Sequence, residues 1–377
     1  MKYLLSLVLL AQVTYADSES VSQVNFKMNR IGKSMQKLFP YMFNSEKFSS
    51  SKNEKIILKE MKNILSNLES AEDHFKEDKP VTYQLGGDVL ISHTKETIDI
   101  FKNGKKSFAQ SMLKASTHLC MSCHTQDNTK RKLFRSMKRK SFSDDFAYAE
   151  FNFMTRNYNE ALKYYNKFIS TSNNKKRIGT ALKRKLTIFA GIQKSPQAGI
   201  SSFNKDIARP NLGKMNAADV ALWIKGLEKW KKSDELKYKK LDEKTVTEIA
   251  KKFLFPLKNR SPFAVEGVDT VTYVRLRNMM NDYLNKGPKE SMMPKVLYWL
   301  ALSDKALDYS IFYSLSNTYL KTCIKRYNKY PAVKDCFDEY EENITFSFTG
   351  SGGTFIPKDI QMELDQFKRL IREPMKK

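Results

Sequence analysis

Apolar residues recur at intervals of three and four along most of the chain, the period of one helix face. The first run spans Val21 to Phe39 and carries Val21, Val24, Met28, Ile31, Met35, Leu38 and Met42 on one stripe. Pro40 is expected to end or bend it. A second run, from about Lys55 to Phe75, carries Ile57, Leu58, Met61, Ile64, Leu65 and Leu68. Pro80 to Leu90, with Gly86 and Gly87, reads as a loop. A third run begins near Thr94 and passes Ile98, Phe101, Phe108, Met112 and Leu113. Gly104 is placed to divide it, which makes four helices.

Beyond about residue 140 the helical period continues. Runs are expected at Ala217–Trp230, Lys244–Phe253, Val271–Leu284 and Pro294–Tyr327. Tyr148-Ala149 and then Tyr158, Ala161 and Tyr165 have the spacing of a tetratricopeptide repeat. There a small residue lets two helices approach while aromatics fill the groove. A second clean copy is absent, so residues 141–377 read as an α-solenoid of degenerate helix pairs. The alternative is an irregular helical domain. The fold class is all-α: glycine (14) and proline (11) are scarce, and 24 Phe and 18 Tyr supply core.

Residues 1–16 change the picture of where the chain works. Lys2, the apolar stretch Tyr3–Val13 and the small residue Ala16 form a signal peptide pattern, with cleavage expected after Ala16. In a bacterium that directs the protein to the periplasm, with no membrane span after cleavage. The domains are then 1–16, 17–140 and 141–377. The formal net charge is +25, from 66 Lys+Arg against 41 Asp+Glu. Such a balance suits nucleic acid in a cytoplasmic protein, but export removes that partner. An acidic redox protein or an anionic envelope surface remains, as does a merely solvated basic surface. The densest run, Lys130 to Lys140, closely follows the chain's most specific motif.

That motif is Cys120-Met121-Ser122-Cys123-His124. Cys-x-x-Cys-His is the attachment pattern of haem c. Two thiols meet the two vinyl groups of the porphyrin, and the next residue is held beneath the iron. Imidazole is a good axial ligand, so His124 is expected as the proximal iron ligand of one covalent haem. Three other readings compete. A thioredoxin-like pair wants a strand–helix setting. Zinc would need His118, Cys120, Cys123 and His124 wrapped tetrahedrally by one short helix. A disulfide at this spacing is strained. His74 and His93 are read as surface residues, His93 at a helix start beside Ser92 and Thr94.

One such motif near the end of helical runs, with a Met-bearing first helix, resembles a class II cytochrome c of the cytochrome c-prime family. The resemblance covers residues 21 to about 126. It implies a four-helix haem bundle whose first helix faces the haem side opposite His124. The stretch Val21-x6-Met28-x-x-Ile31-Gly32-x-x-Met35 is similar to that first helix. Met28 falls at the family's distal position, where low-spin members place a Met ligand. Met35 is the second candidate, and a methionine core stripe without a ligand is the third reading.

Cys323 and Cys336 flank Pro331, and in an oxidising compartment they are expected to staple a helical hairpin. Gly350-Ser351-Gly352-Gly353 reads as a tight connection, after a short extended segment at Phe346–Phe348. No distal acid–base residue is placed for a peroxidase, so the chain reads as a non-enzymatic electron carrier. Binding of nitric oxide or carbon monoxide, and a redox-sensing haem scaffold, are the alternatives.

Overall fold

A computed structural model describes residues 26–71, 81–124, 138–259, 267–307 and 315–372. The side chains of 81–85, 118, 120–124, 258 and 259 are outside that description. So are the expected leader, His74 and most of the Lys130–Lys140 run. The described residues are almost entirely helical, and the chain divides into two compact units, 1–161 and 162–377.

The first unit opens with α1 (26–42), followed by α2 (Ser45–Ser49), α3 (Ser51–Glu69), α4 (Val81–Lys102) and α5 (Lys106–His124). The α1 stripe is buried as its period demands, with Ile31, Met35, Leu38 and Met42 all in the core. Helix α1 runs antiparallel to α3: Lys37 donates to Glu60 at 2.8 Å, and Lys27 reaches the Ser70 carbonyl. It also runs antiparallel to α5: Gln110 donates to the carbonyls of Met42 (2.9 Å) and Tyr41 (3.2 Å), and further back along α1 Met35 and Ile31 line one small cavity with Leu113 and Ser116, further forward along α5. Helices α4 and α5 form a hairpin about Gly104, whose φ of +77° suits a residue without Cβ. Phe48 of α2 meets Phe101 edge-on at 5.4 Å and closes the turn end.

Two expectations are corrected here. The segment from 81 to 90 is not a loop but the first half of the 22-residue α4. Two helical glycines cost roughly 1 kcal/mol each relative to alanine. Burial of Leu90, Ile91, Ile98 and Phe101 along the same helix outweighs this, and Gly86 and Gly87 are themselves buried. The first unit also continues past residue 140. Helix α6 (Asp145–Met154) is N-capped by Asp144, whose carboxylate accepts from the Ala147 N–H at 2.8 Å. Its Phe151 packs edge-on against Phe39 at 5.1 Å, and Phe142 joins them. An aromatic cluster therefore ties α6 to α1, a tertiary contact that helical period alone does not reveal.

Helix α7 (Tyr158–Thr171) crosses the division, and its Ala161 and Tyr165 are fully buried. The second unit continues with α8 (Lys175–Leu186), a π-helical turn at Thr187–Ile192, α9 (Pro196–Ile207), α10 (Lys214–Lys232) and α11 (Glu243–Phe253). Then come α12 (Gly267–Leu284), α13 (Met293–Ala306), α14 (Ser316–Arg326) and α15 (Val333–Ser347). A two-residue hairpin, β1 (Thr349–Gly350) with β2 (Gly353–Thr354), leads to α16 (Lys358–Arg372). Most of these helices pack on near neighbours in sequence. Gly226 shows how closely: a Cβ there would lie 2.4 Å from the Val268 carbonyl at the start of α12. The run expected at Pro294–Tyr327 is two helices, α13 and α14, and Phe346 lies in the last turn of α15 rather than in an extended segment.

Cys323 of α14 and Cys336 of α15 form a disulfide, Cα–Cα 6.3 Å, in a fully buried setting. A bridge closing a loop of this size contributes about 3 kcal/mol. Cys323→Ser with Cys336→Ser should lower the unfolding free energy by that amount, read as a lower urea midpoint, and a reductant should do the same to the native protein. An unchanged midpoint in both would show that the hairpin holds without the bridge.

Candidate functional site

Helix α5 carries the Cys-x-x-Cys-His motif as its last turn. At about 100° per residue, positions 120, 123 and 124 fall within an arc of roughly 100°. The same arc, traced back along the helix, holds Ala109, Leu113 and Ser116, all buried. Positions 120, 123 and 124 thus share the helix arc of that buried stripe. Position 118 lies on the opposite side of α5, about 200° from position 120. That register separates His118 from the other three, and it counts against a four-ligand zinc site on this helix. Among the described residues no three His, Cys, Asp or Glu side chains gather around a metal position; the motif side chains are not among them.

The antiparallel register of α1 and α5 fixes what stands level with the motif. Met42 and Gln110 are level, joined by their hydrogen bond. Fourteen residues lead from Met42 back to Met28, and fourteen from Gln110 forward to His124. Both paths cover about 21 Å, so Met28 and His124 occupy the same end. The contact between Lys27 and the Ser70 carbonyl brings the C-terminus of α3 to that end as well. Met28 is half-buried there. Met35 lies seven residues further along, about 10 Å from the His124 level.

Met35 instead faces the middle of the unit. With Ile31, Met61, Ile64, Leu90 and Leu113 it lines a cavity of only about 10 Å³, room for roughly one water. That level is closely packed. The donor set at the motif end fits a covalently held haem: two thiols and an imidazole on one helix arc, with a thioether level with them.

His93 corrects a further expectation. It stands mid-way along α4, not at a helix start, and is 6% exposed. Its Nε2 lies 2.7 Å from the Met112 carbonyl. Burial pushes its pKa below the usual histidine value, against the raising effects of the Met112 contact and Glu96. Protonation is then favoured in the unfolded chain, so stability is complete above about pH 6.5 and is lost as the pH falls below it. Each unit of pKa depression corresponds to about 1.4 kcal/mol. Urea titrations from pH 7.5 to 5 should show this slope, and His93→Gln should flatten it. An equal slope in the variant would assign the effect to other groups.

Glu60, also buried, behaves in the opposite way. Burial would raise its pKa, but hydrogen bonds from Lys37, Ser34 and Asn63, with the Lys37 charge, outweigh it and hold the carboxyl below its ordinary range. In the second unit Lys185 and Asp206 form a buried ion pair, and Lys185 also donates to Asn166 at 2.6 Å. Sequence reading had no signal for this pair, because the partners lie on different helices. Among the described residues no helix is long and apolar enough to cross a membrane. No family model, no curated protein and no solved structure matches this chain.

Proposed function

We propose that the protein is a periplasmic monohaem c-type cytochrome that carries electrons. The observation that carries this reading is the Cys120-x-x-Cys123-His124 motif on the arc of α5 that holds its buried stripe, level with Met28. Cys120 and Cys123 would hold one haem c through thioether bonds, and His124 would supply the proximal nitrogen to iron. When bound, that group supplies a one-electron ferric–ferrous couple. The chain supplies its fixing and its surroundings. Met28 is the candidate sulfur ligand on the other side, which raises the potential relative to a second histidine.

In this reading α1, α3, α4 and α5 are a four-helix haem bundle of the class II cytochrome c kind. The second unit is an α-solenoid of degenerate, tetratricopeptide-like pairs that docks an acidic redox partner, with the Lys130–Lys140 run as a further contact. The signal peptide, removed after Ala16, accounts for export and for the Cys323–Cys336 bridge. No enzymatic role is assigned. Gas binding or redox sensing is the second reading, favoured by the half-buried position of Met28, from which a ligand can swing away.

The test is a pyridine haemochrome assay on protein expressed with its leader in a host carrying c-haem maturation proteins. One covalent haem per chain is expected, and Cys120→Ala with Cys123→Ala should lose it entirely. Absence of covalent haem in a competent host would sink the cytochrome reading.

A further inference from the structure

From Leu162 to Lys205 the chain carries ten Lys or Arg and no Asp or Glu. At the overall acid content of 41 in 377, about five acids would be expected in these 44 residues. The stretch comprises most of α7, all of α8, the π turn and nearly all of α9. Some of its cations serve the fold. Lys185 is buried against Asp206, Lys194 pairs with Asp282 at 3.1 Å, and Lys175 caps the Asn211 carbonyl. Others stand outward. Lys163 and Lys167 lie one turn apart on the exposed side of α7, and Lys176 is exposed at the start of α8. The two helices pack as a hairpin, since Arg177 lies 5.2 Å over Phe168 and Lys185 reaches Asn166. Their cations therefore share one hairpin surface.

We infer that the α7–α8 hairpin is a docking face for an acidic protein surface. The inference rests on the electron-carrier reading and assigns its partner contact to particular helices. Apart from Glu160 in the first turn of α7, the hairpin's charge is positive, ten cations from 162 to 205, and it is carried on rigid helices, which suits electrostatic steering of a complementary protein. Two other anionic partners fit less well. A single-stranded nucleic acid wants exposed rings for stacking. Here Phe168 is buried, and Tyr164 has the ammonium groups of Lys163 and Lys167 at 5.4 and 5.9 Å from its ring centre. A bilayer surface wants apolar side chains to insert beside the cations. The only exposed large apolar residue of this stretch is Ile192, at 37%.

The test uses full-length haem-loaded protein and a fluorescent poly-glutamate peptide, with binding read by anisotropy at low salt. Lys163, Lys167 and Lys176 are changed together to Glu. The control changes Lys237, Lys239 and Lys240, which are equally exposed in the loop after α10, to Glu. The hairpin variant should weaken binding on the order of tenfold, and the control less than about twofold. Equal losses would overturn the inference and leave only bulk charge. Tighter binding of duplex DNA or of phosphatidylglycerol vesicles through the same lysines would overturn it too. Should the Glu variant lose its helical dichroism, the Lys→Gln triple carries the test. Haem content is measured on each sample, so failure of the cytochrome reading registers separately from failure of the docking face.

Discussion

Met28→Leu in the haem-loaded protein is expected to open the sixth iron position, whereas Met35→Leu leaves it closed. The two residues share one stripe and differ by two helical turns, so sequence spacing alone does not choose between them. The register of α1 against α5 does: Met28 stands level with His124, and Met35 stands about 10 Å away at a closed, apolar layer. Ferrous spectra with and without carbon monoxide read the outcome. Wild type should exclude the gas, Met28→Leu should bind it at one per haem, and its reduction potential should fall with loss of the thioether. Met35→Leu is a near-isosteric core change and should cost less than about 1.5 kcal/mol with no change in the spectrum. Opening by Met35→Leu instead would refute the register argument. Carbon monoxide binding to wild type would favour the gas-binding reading over electron transfer.

The second large effect is expected at Asp206. Its carboxylate meets Lys185, and both side chains are essentially sealed from water at 1% and 0% exposure. Burial drives the Lys185 pKa down, and the Asp206 charge and hydrogen bond hold it up. Asp206→Ala removes that support and leaves an ammonium group buried, at a cost of about 3–5 kcal/mol. The pH dependence has a definite sign. In the variant the folded-state pKa of Lys185 drops further below its unfolded value, so the unfolded chain binds the proton more strongly. The deficit should therefore shrink as the pH rises toward the unfolded-state lysine value of about 10.4, because the folded variant then holds Lys185 neutral. Urea unfolding at pH 7 and pH 9.5 measures this. Lys185→Met in the Asp206→Ala background should restore much of the loss, because a paired desolvation penalty disappears with both charges. A loss under about 1 kcal/mol, or one independent of pH, would mean that Asn166 alone satisfies the ammonium.

Helical class was legible because a three-to-four period is a local property of the chain. The α1 stripe, the α3 stripe and the break at Gly104 all follow from spacing and from what a residue without Cβ permits. The failures share a cause. Gly86 and Gly87 mark a loop only where propensity decides, and here the burial of the rest of α4 decided. His93 beside Ser92 and Thr94 has the composition of a cap, yet packing placed it mid-helix in the core. The first unit extends past residue 140 because Phe151, with Phe142 against it, closes on Phe39, a contact between residues more than a hundred positions apart.

The sequence by itself determined the elements and the chemistry at hand: helices, a disulfide pair that two separated cysteines in an oxidising setting would form, and a contiguous five-residue motif whose spacing is its own signature. These need only neighbouring residues, so a linear reading captures them. Tertiary structure alone decided which of two stripe methionines stands level with the motif and that Lys185 finds its counter-charge on another helix. Each of these depends on how antiparallel helices slide along one another, and that register is set by interlocking side chains distant in the chain.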